Sequence, residues 1–113
     1  MALDTLVTQM RKGALEYCVL ALLTSQPRYG FEIVQRLGQI DGMLTSEGTM
    51  YPLLGRLRRD GRVQSEWKES AAGPPRRYYE LTGEGRRSLR AFREEWITFR
   101  TAVDSILGTG VTK

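Results

Sequence analysis

Apolar positions keep helical spacing through the first half of this chain, alternate briefly, then return to helical spacing almost to the end. From Thr5 to Thr24 the pattern is helical. Leu3, Leu6, Val7 and Met10 mark one stripe, and ALEYCVLALL, Ala14 to Leu23, is apolar nearly all round, as in a helix buried on most faces. Gly13 breaks or bends the two parts, and Pro27 stops the run. A second amphipathic helix is predicted over Tyr29 to Ile40, with Phe31, Ile33, Val34, Leu37 and Ile40 on its apolar side and a turn at Gly42.

The segment TSEGTMYPLLGRLRRDG, Thr45 to Gly61, predicts a third helix. Ser46 or Thr45 is its N-cap, Glu47 suits its positive end, and Gly61 suits the left-handed position after its last turn. Met50, Leu53, Leu54 and Leu57 form its apolar face. Pro52 requires a start just upstream, between Ser46 and Thr49, where backbone donors have no intrahelical partner.

The spacing then changes. Val63, Ser65 and Trp67 alternate with Gln64, Glu66 and Lys68, and Arg77, Tyr79 and Leu81 with Arg76, Tyr78 and Glu80. This predicts a two-stranded hairpin whose tip is the turn-rich AAGPP, with Trp67, Tyr79 and Leu81 facing the core. A last helix starts at the N-cap Thr82. Its residues Leu89, Phe92, Trp96, Phe99, Val103 and Ile106 step by alternating threes and fours, a heptad seam suited to pairing with another helix. The closing GTGVTK is expected to fray.

Three helices, a hairpin and a long helix are the order of a winged helix-turn-helix. The predicted fold class is therefore mainly α with a small antiparallel β-hairpin. Residues 1–82 are expected to form the DNA-binding unit, 83–108 a dimerisation helix packed with the N-terminal helix, and 109–113 a frayed tail.

Charge sharpens this picture. The chain has 113 residues, enough for one small domain, and a net charge of +4. Between Gly48 and Tyr79 lie seven cations and three anions, so this stretch carries the whole excess. All but three of the 17 cations are arginine, whose planar fork suits phosphates and base edges. Codon usage can account for the Arg/Lys ratio but not for the clustering. The chain has no histidine, which removes the commonest general base and metal ligand. Its single cysteine, Cys18, sits in an apolar run and is expected to be a buried, inert thiol. With no nucleophile–base pair and no phosphate-cradling glycine loop, an enzyme is not expected, nor a cofactor or metal. The N-terminus lacks a signal pattern and the longest apolar run is too short to span a bilayer, so the expectation is a cytoplasmic protein with no membrane partner.

The candidate DNA-binding residues are Thr49, Tyr51, Arg56 and Arg59 on the third helix, Arg76 and Arg77 beside the wing tip, and Lys12 near the first helix. Each has a plainer alternative: Thr49 as a cap, Tyr51 as packing, and the cations as solvated charges. The competing function is a winged-helix protein-interaction module that does not bind DNA. It needs an exposed apolar patch outside the seam, and the sequence offers none.

GTMYPLLGRLRRDGRV, then Trp67, then RRYYELTGEG, resembles the PadR family of bacterial transcriptional regulators. The matching positions are Gly48, Thr49, Tyr51, Pro52, Leu53, Arg56, Leu57, Gly61, Trp67, Tyr79, Leu81, Thr82 and Gly85. Upstream, RYGFEI resembles the opening of the family's second helix, with Phe31 where tyrosine is usual. Tyr29 and Arg58 stand where the family commonly has histidine and glutamate. The resemblance extends over nearly the whole chain and implies the short subfamily with one dimerisation helix. It implies a homodimeric repressor on a two-fold symmetric duplex DNA operator, with a small aromatic or hydrophobic effector. By the same resemblance, Trp96, with Phe92 and Phe99 beside it, is the candidate ligand site at the dimer centre.

Overall fold

The computed structural model describes Met10 and residues 12–110. Among these described residues four helices and three strands follow in the order α1 (Leu15–Leu22), β1 (Arg28–Tyr29), α2 (Gly30–Gly38), α3 (Glu47–Arg59), β2 (Val63–Ser70), β3 (Gly73–Leu81) and α4 (Gly83–Leu107). Gly13, in the left-handed region at φ 88°, separates α1 from what precedes it. The Thr5–Gln9 part of the predicted first helix lies outside the described residues.

Val19, Leu20 and Leu23 from the α1 region, Ile33 and Leu37 from α2, and Met50, Leu53, Leu54 and Leu57 from α3 form one core. Val63, Tyr79 and Leu81 close it from the sheet and Leu89 from α4. The helical spacings read from the sequence are the ones that bury these residues.

Caps set the ends of α3 and α4. Ser46 Oγ accepts from Thr49 N–H at 3.2 Å, and Gly61 takes a positive φ of 76° just after α3. Pro52 is the sixth residue of the helix, deeper than the predicted position among the free donors. It withholds an N–H from the carbonyl of Gly48, an exposed residue open to water, so the helix continues. Thr82 Oγ1 accepts from Gly85 N–H at 3.0 Å and donates to Gly61 C=O at 2.6 Å, joining the start of α4 to the end of α3. A Cβ on Gly85 would lie 2.0 Å from Arg62 O, so this junction admits only glycine.

The sheet differs from the predicted hairpin in three respects. It has three strands in the order β1-β3-β2, because Arg28 and Tyr29 pair with Tyr79 and Tyr78. Two residues are too few to show alternation, so β1 left no periodic signal. Next, Gly73, Pro74 and Pro75 belong to β3, and the turn shrinks to Ala71–Ala72. An outer strand end tolerates proline because no ladder bond is lost there. Lastly, Trp67 is on the predicted face but 62% exposed. It stands four residues beyond buried Val63, about 13 Å along the strand, past the edge of the core.

α4 has 25 residues and so runs about 37 Å, which elongates the molecule to 50 × 33 × 25 Å. It packs on α1 through Phe92, stacked on Tyr17 at 4.1 Å and 5°. The helix end is tied down as far as Thr109, and residues 111–113 of the predicted tail lie outside the described residues. Gly108 caps the helix at φ 74°, and Thr109 bonds back to Asp104 through its N–H and its hydroxyl, both at 3.0 Å.

Candidate nucleic-acid interface

α3 buries Met50, Leu53, Leu54 and Leu57. Helical spacing puts Gly48, Pro52, Gly55 and Arg59 on the opposite ridge. For its first turns this ridge is almost bare of side chains, so the backbone can approach a surface closely. The reaching groups stand on its flanks: Thr49 and Arg56 on one side, Tyr51 and Arg58 on the other.

The Tyr51 flank faces the wing. Its ring lies against Gly30, where a Cβ would meet Tyr51 Cε1 at 2.5 Å. Its hydroxyl donates to Glu47 Oε1 at 3.3 Å. Partial burial, then the Glu47 charge and this hydrogen bond, push the phenol above its ordinary value, so it stays a protonated donor. Tyr51, Tyr29, Trp67, Pro75, Arg76 and Arg77 line a shallow cavity of about 220 Å³ between recognition helix and wing. Three of the predicted DNA-binding positions thus adjoin, Tyr51 on α3 with Arg76 and Arg77 on the wing, while Arg59 stands about two helical turns further along α3. Among the described residues neither Arg58 nor Arg59 pairs with a carboxylate within 4.0 Å.

Three predicted residues are placed differently. Thr49 stays exposed but is not itself the cap: Ser46 is the N-cap, accepting the Thr49 N–H and donating its own hydroxyl to Thr49 Oγ1 at 3.2 Å. Arg56 lies 3.7 Å from Glu16 on α1, which also holds Arg62 at 3.5 Å; about half of the Arg56 side chain stays exposed. Lys12 is away from the α3–wing surface, beside α4.

Sequence reasoning missed Arg28, Glu16 and Tyr29. Arg28, only 6% exposed, donates to Leu22 C=O at 2.7 Å, Glu32 at 2.9 Å and Ser25 Oγ at 3.4 Å, and so locks the end of α1 to α2. Glu16 had a signal: it is the one charge in ALEYCVLALL, and a carboxylate in such a run needs cations. Cys18, expected to be buried, is half-buried, and burial raises its pKa, which disfavours the thiolate.

Along α4 the seam is more open beyond Phe92, although Val103 is half-buried again. Leu89 is buried and Phe92 half-buried, but Trp96 is 38%, Phe99 61% and Ile106 83% exposed. Phe92, Trp96 and Phe99 form a continuous ring series with centroid spacings of 5.7 and 6.2 Å. They line an apolar groove of about 750 Å³ with Met10, Lys12 and Val103. The three predicted ligand-binding residues therefore do come together.

A recognition helix with a bare outward ridge, seated beside a cationic wing, defines a winged helix-turn-helix DNA-binding regulator. Residues 19–91 match the model of the transcriptional regulator PadR-like family. The chain is 44% identical to a PadR-like transcription factor from Bacteroides fragilis, with 91% of this chain and 99% of that one covered at a TM-score of 0.74. It is 34% identical to a PadR family regulator from Eggerthella lenta, over 95% and 93% of the two chains at a TM-score of 0.81. A PadR-like regulator from Bacillus cereus is 35% identical, over 88% and 96%, with a TM-score of 0.78. The chain belongs to the PadR-like family, whose members are DNA-binding transcriptional regulators and not enzymes. Among the described residues no helix is long and apolar enough to cross a membrane.

Proposed function

We propose that this protein is a homodimeric transcriptional repressor. Residues 1–82 grip DNA and residues 83–108 hold two copies together through the α4 seam. α3 enters the major groove of a two-fold symmetric operator, with Thr49, Tyr51 and Arg59 reaching bases or phosphates from its N-terminal flanks and last turn. Arg76 and Arg77 lie on the neighbouring backbone. Arg56 reaches phosphate by exchanging its Glu16 carboxylate for one. Lys12 remains a backbone candidate only if an adjoining copy carries it to the duplex.

The observation that carries this reading is the separation of two faces. The groove-seeking helix and wing cations share one surface, while α4 exposes Trp96, Phe99 and Ile106 on another. An exposed aromatic and aliphatic stripe at heptad spacing favours a second copy of the same stripe. The aromatic groove around Trp96 suits a flat apolar effector, which changes the angle between paired helices and so the spacing of the recognition helices. Such coupling is typically worth about 1–3 kcal/mol.

Selection of duplexes from a random pool by the full chain, with sedimentation at micromolar concentration, tests the reading. The expected result is a dimer that selects an inverted repeat with half-sites spaced by whole helical turns. Log affinity should fall linearly with log salt, and a reporter promoter carrying the selected site should be silenced. A monomer that shifts no duplex at low salt overturns it. For the effector, quenching of tryptophan fluorescence by candidate aromatic ligands is compared with Trp96→Ala, in which Trp67 alone reports. Equal quenching in both removes the pocket.

A further inference from the structure

The wing arginines are not loose. Arg77 Cζ lies over the Trp67 ring at 4.8 Å, and its Nη1 donates to Ser65 Oγ at 3.1 Å. Trp67 and Arg77 are direct cross-strand partners, and so are Ser65 and Tyr79 one step nearer the core. The guanidinium is thus held from a ring and a hydroxyl of one strand while standing on the other. Arg76 Cζ lies over the Tyr29 ring at 4.5 Å. Tyr29 meets Tyr78 at 5.5 Å, and Lys68 Nζ lies 5.1 Å from the Tyr78 ring. Each of these cations thus lies against an aromatic ring, and the contacts involve all three strands.

An exposed tryptophan on a small sheet calls for a reason, because burial does not supply one here. Trp67 is 62% exposed and outside the core cluster. What it touches is Arg77. A free arginine loses much side-chain freedom when it engages a phosphate, and a guanidinium already stacked and hydrogen-bonded has lost most of it beforehand. Stacking on a ring face leaves the in-plane N–H groups free to donate, so the ring orients the fork without consuming it.

We infer that Trp67 is a positioning residue for DNA binding: its ring, with Ser65, holds the Arg77 guanidinium ready for the operator backbone, and Tyr29 does the same for Arg76. The inference rests on the proposed role of the wing arginines. Trp67 acts through Arg77 and touches no DNA itself.

The test is a double-mutant cycle on the full chain, using a fluorescein-labelled duplex of the sequence that the wild type selects from a random pool. Trp67→Ala should weaken binding about two- to fivefold per wing, the size of an exposed cation–π contact. Arg77→Ala should weaken it at least as much and lower the log–log salt slope by about one per wing. The double variant should bind no worse than Arg77→Ala alone, and Trp67→Phe should restore most of the affinity. Thermal transitions of all variants should stay close to wild type, because the ring is outside the core. If Arg77→Ala binds as wild type, the wing reading itself fails. If Arg77→Ala weakens binding but Trp67→Ala does not, or the two losses multiply, the positioning inference fails and the wing reading stands.

Discussion

Gly30→Ala separates the placement of Tyr51 from its mere presence. Gly30 opens α2 and is buried beneath the Tyr51 ring. The new methyl would lie 2.5 Å from Tyr51 Cε1, whereas ordinary carbon contacts lie at about 3.5–4.0 Å. The ring must therefore retreat by about 1 Å. It has room to do so, being 46% exposed, but retreat lengthens an already long 3.3 Å bond to Glu47. An off-rotamer tyrosine costs about 0.5–1.5 kcal/mol, and replacing a helical glycine by alanine returns about 0.5–1 kcal/mol. Stability should thus change by less than about 1 kcal/mol in urea denaturation. Affinity for the selected duplex should fall severalfold, up to the roughly tenfold of one lost phosphate hydrogen bond to the phenol. The decisive comparison is the same substitution in a Tyr51→Ala background, where no ring is displaced. There Gly30→Ala should be neutral for DNA binding and slightly stabilising. An equal loss of affinity in both backgrounds would refute the reasoning, since the methyl would then act without the ring.

Other substitutions test the joints that hold this surface. Gly85→Ala drives a methyl to 2.0 Å from the Arg62 carbonyl, a backbone atom that also takes the Thr82 N–H, and should cost about 2–4 kcal/mol by thermal or urea unfolding. Gly83→Ala, two residues earlier with only Arg87 at 3.5 Å, should be neutral or stabilising. Arg28→Met strips Leu22 C=O and Glu32 of their donor and should cost about 2–4 kcal/mol; Arg28→Lys should recover only part, because an ammonium cannot serve both in the fork geometry. Since the Tyr51 phenol titrates higher in the folded protein than unfolded, the folded state holds its proton more tightly. Its contribution is unaffected below the ordinary tyrosine pKa and becomes destabilising as pH rises above it, so Tyr51→Phe should flatten the alkaline limb of a stability–pH curve.

Long periodic elements were legible in the sequence because each has one dominant buried face. The α3 leucines and Met50, the Thr82 cap and the Gly61 stop all follow from local chemistry that the tertiary fold does not override. β1 was not legible, since two residues have no period and owe their strand geometry to pairing with β3. Trp67 was misread for a related reason. Alternation assigns a face, but whether that face is still over the core depends on how far the strand overshoots α3, a length set by the whole fold. The interface was half legible: charge clustering found the arginines, while the acid that claims Arg56 and the rings that hold Arg76 and Arg77 come from distant segments. Pairings of that kind have no sequence spacing to reveal them.

The two faces to which the proposal assigns DNA binding and pairing meet at Arg62. Its carbonyl accepts the Thr82 N–H at 3.2 Å and abuts Gly85, fixing the first turn of α4 against the chain just after α3. Its guanidinium lies over Tyr17 at 5.8 Å and bonds Glu16, the carboxylate that also holds Arg56. Tyr17 in turn stacks on Phe92, a wall of the aromatic groove. A displacement of α4 that starts at Phe92 therefore reaches the recognition helix by two material routes. One runs through backbone at Thr82 and Gly61, the other through rings and charges at Tyr17 and Glu16. The backbone route is stiff, because its contacts are short and Gly85 leaves no slack. The side-chain route is soft, because its ion pairs are long and partly solvated. Motion of α4 should accordingly carry α3 along as a body, while the Glu16 pairings adjust around it. In a dimer, that arrangement turns a change at the seam into a change in the separation of two recognition helices without reshaping either one.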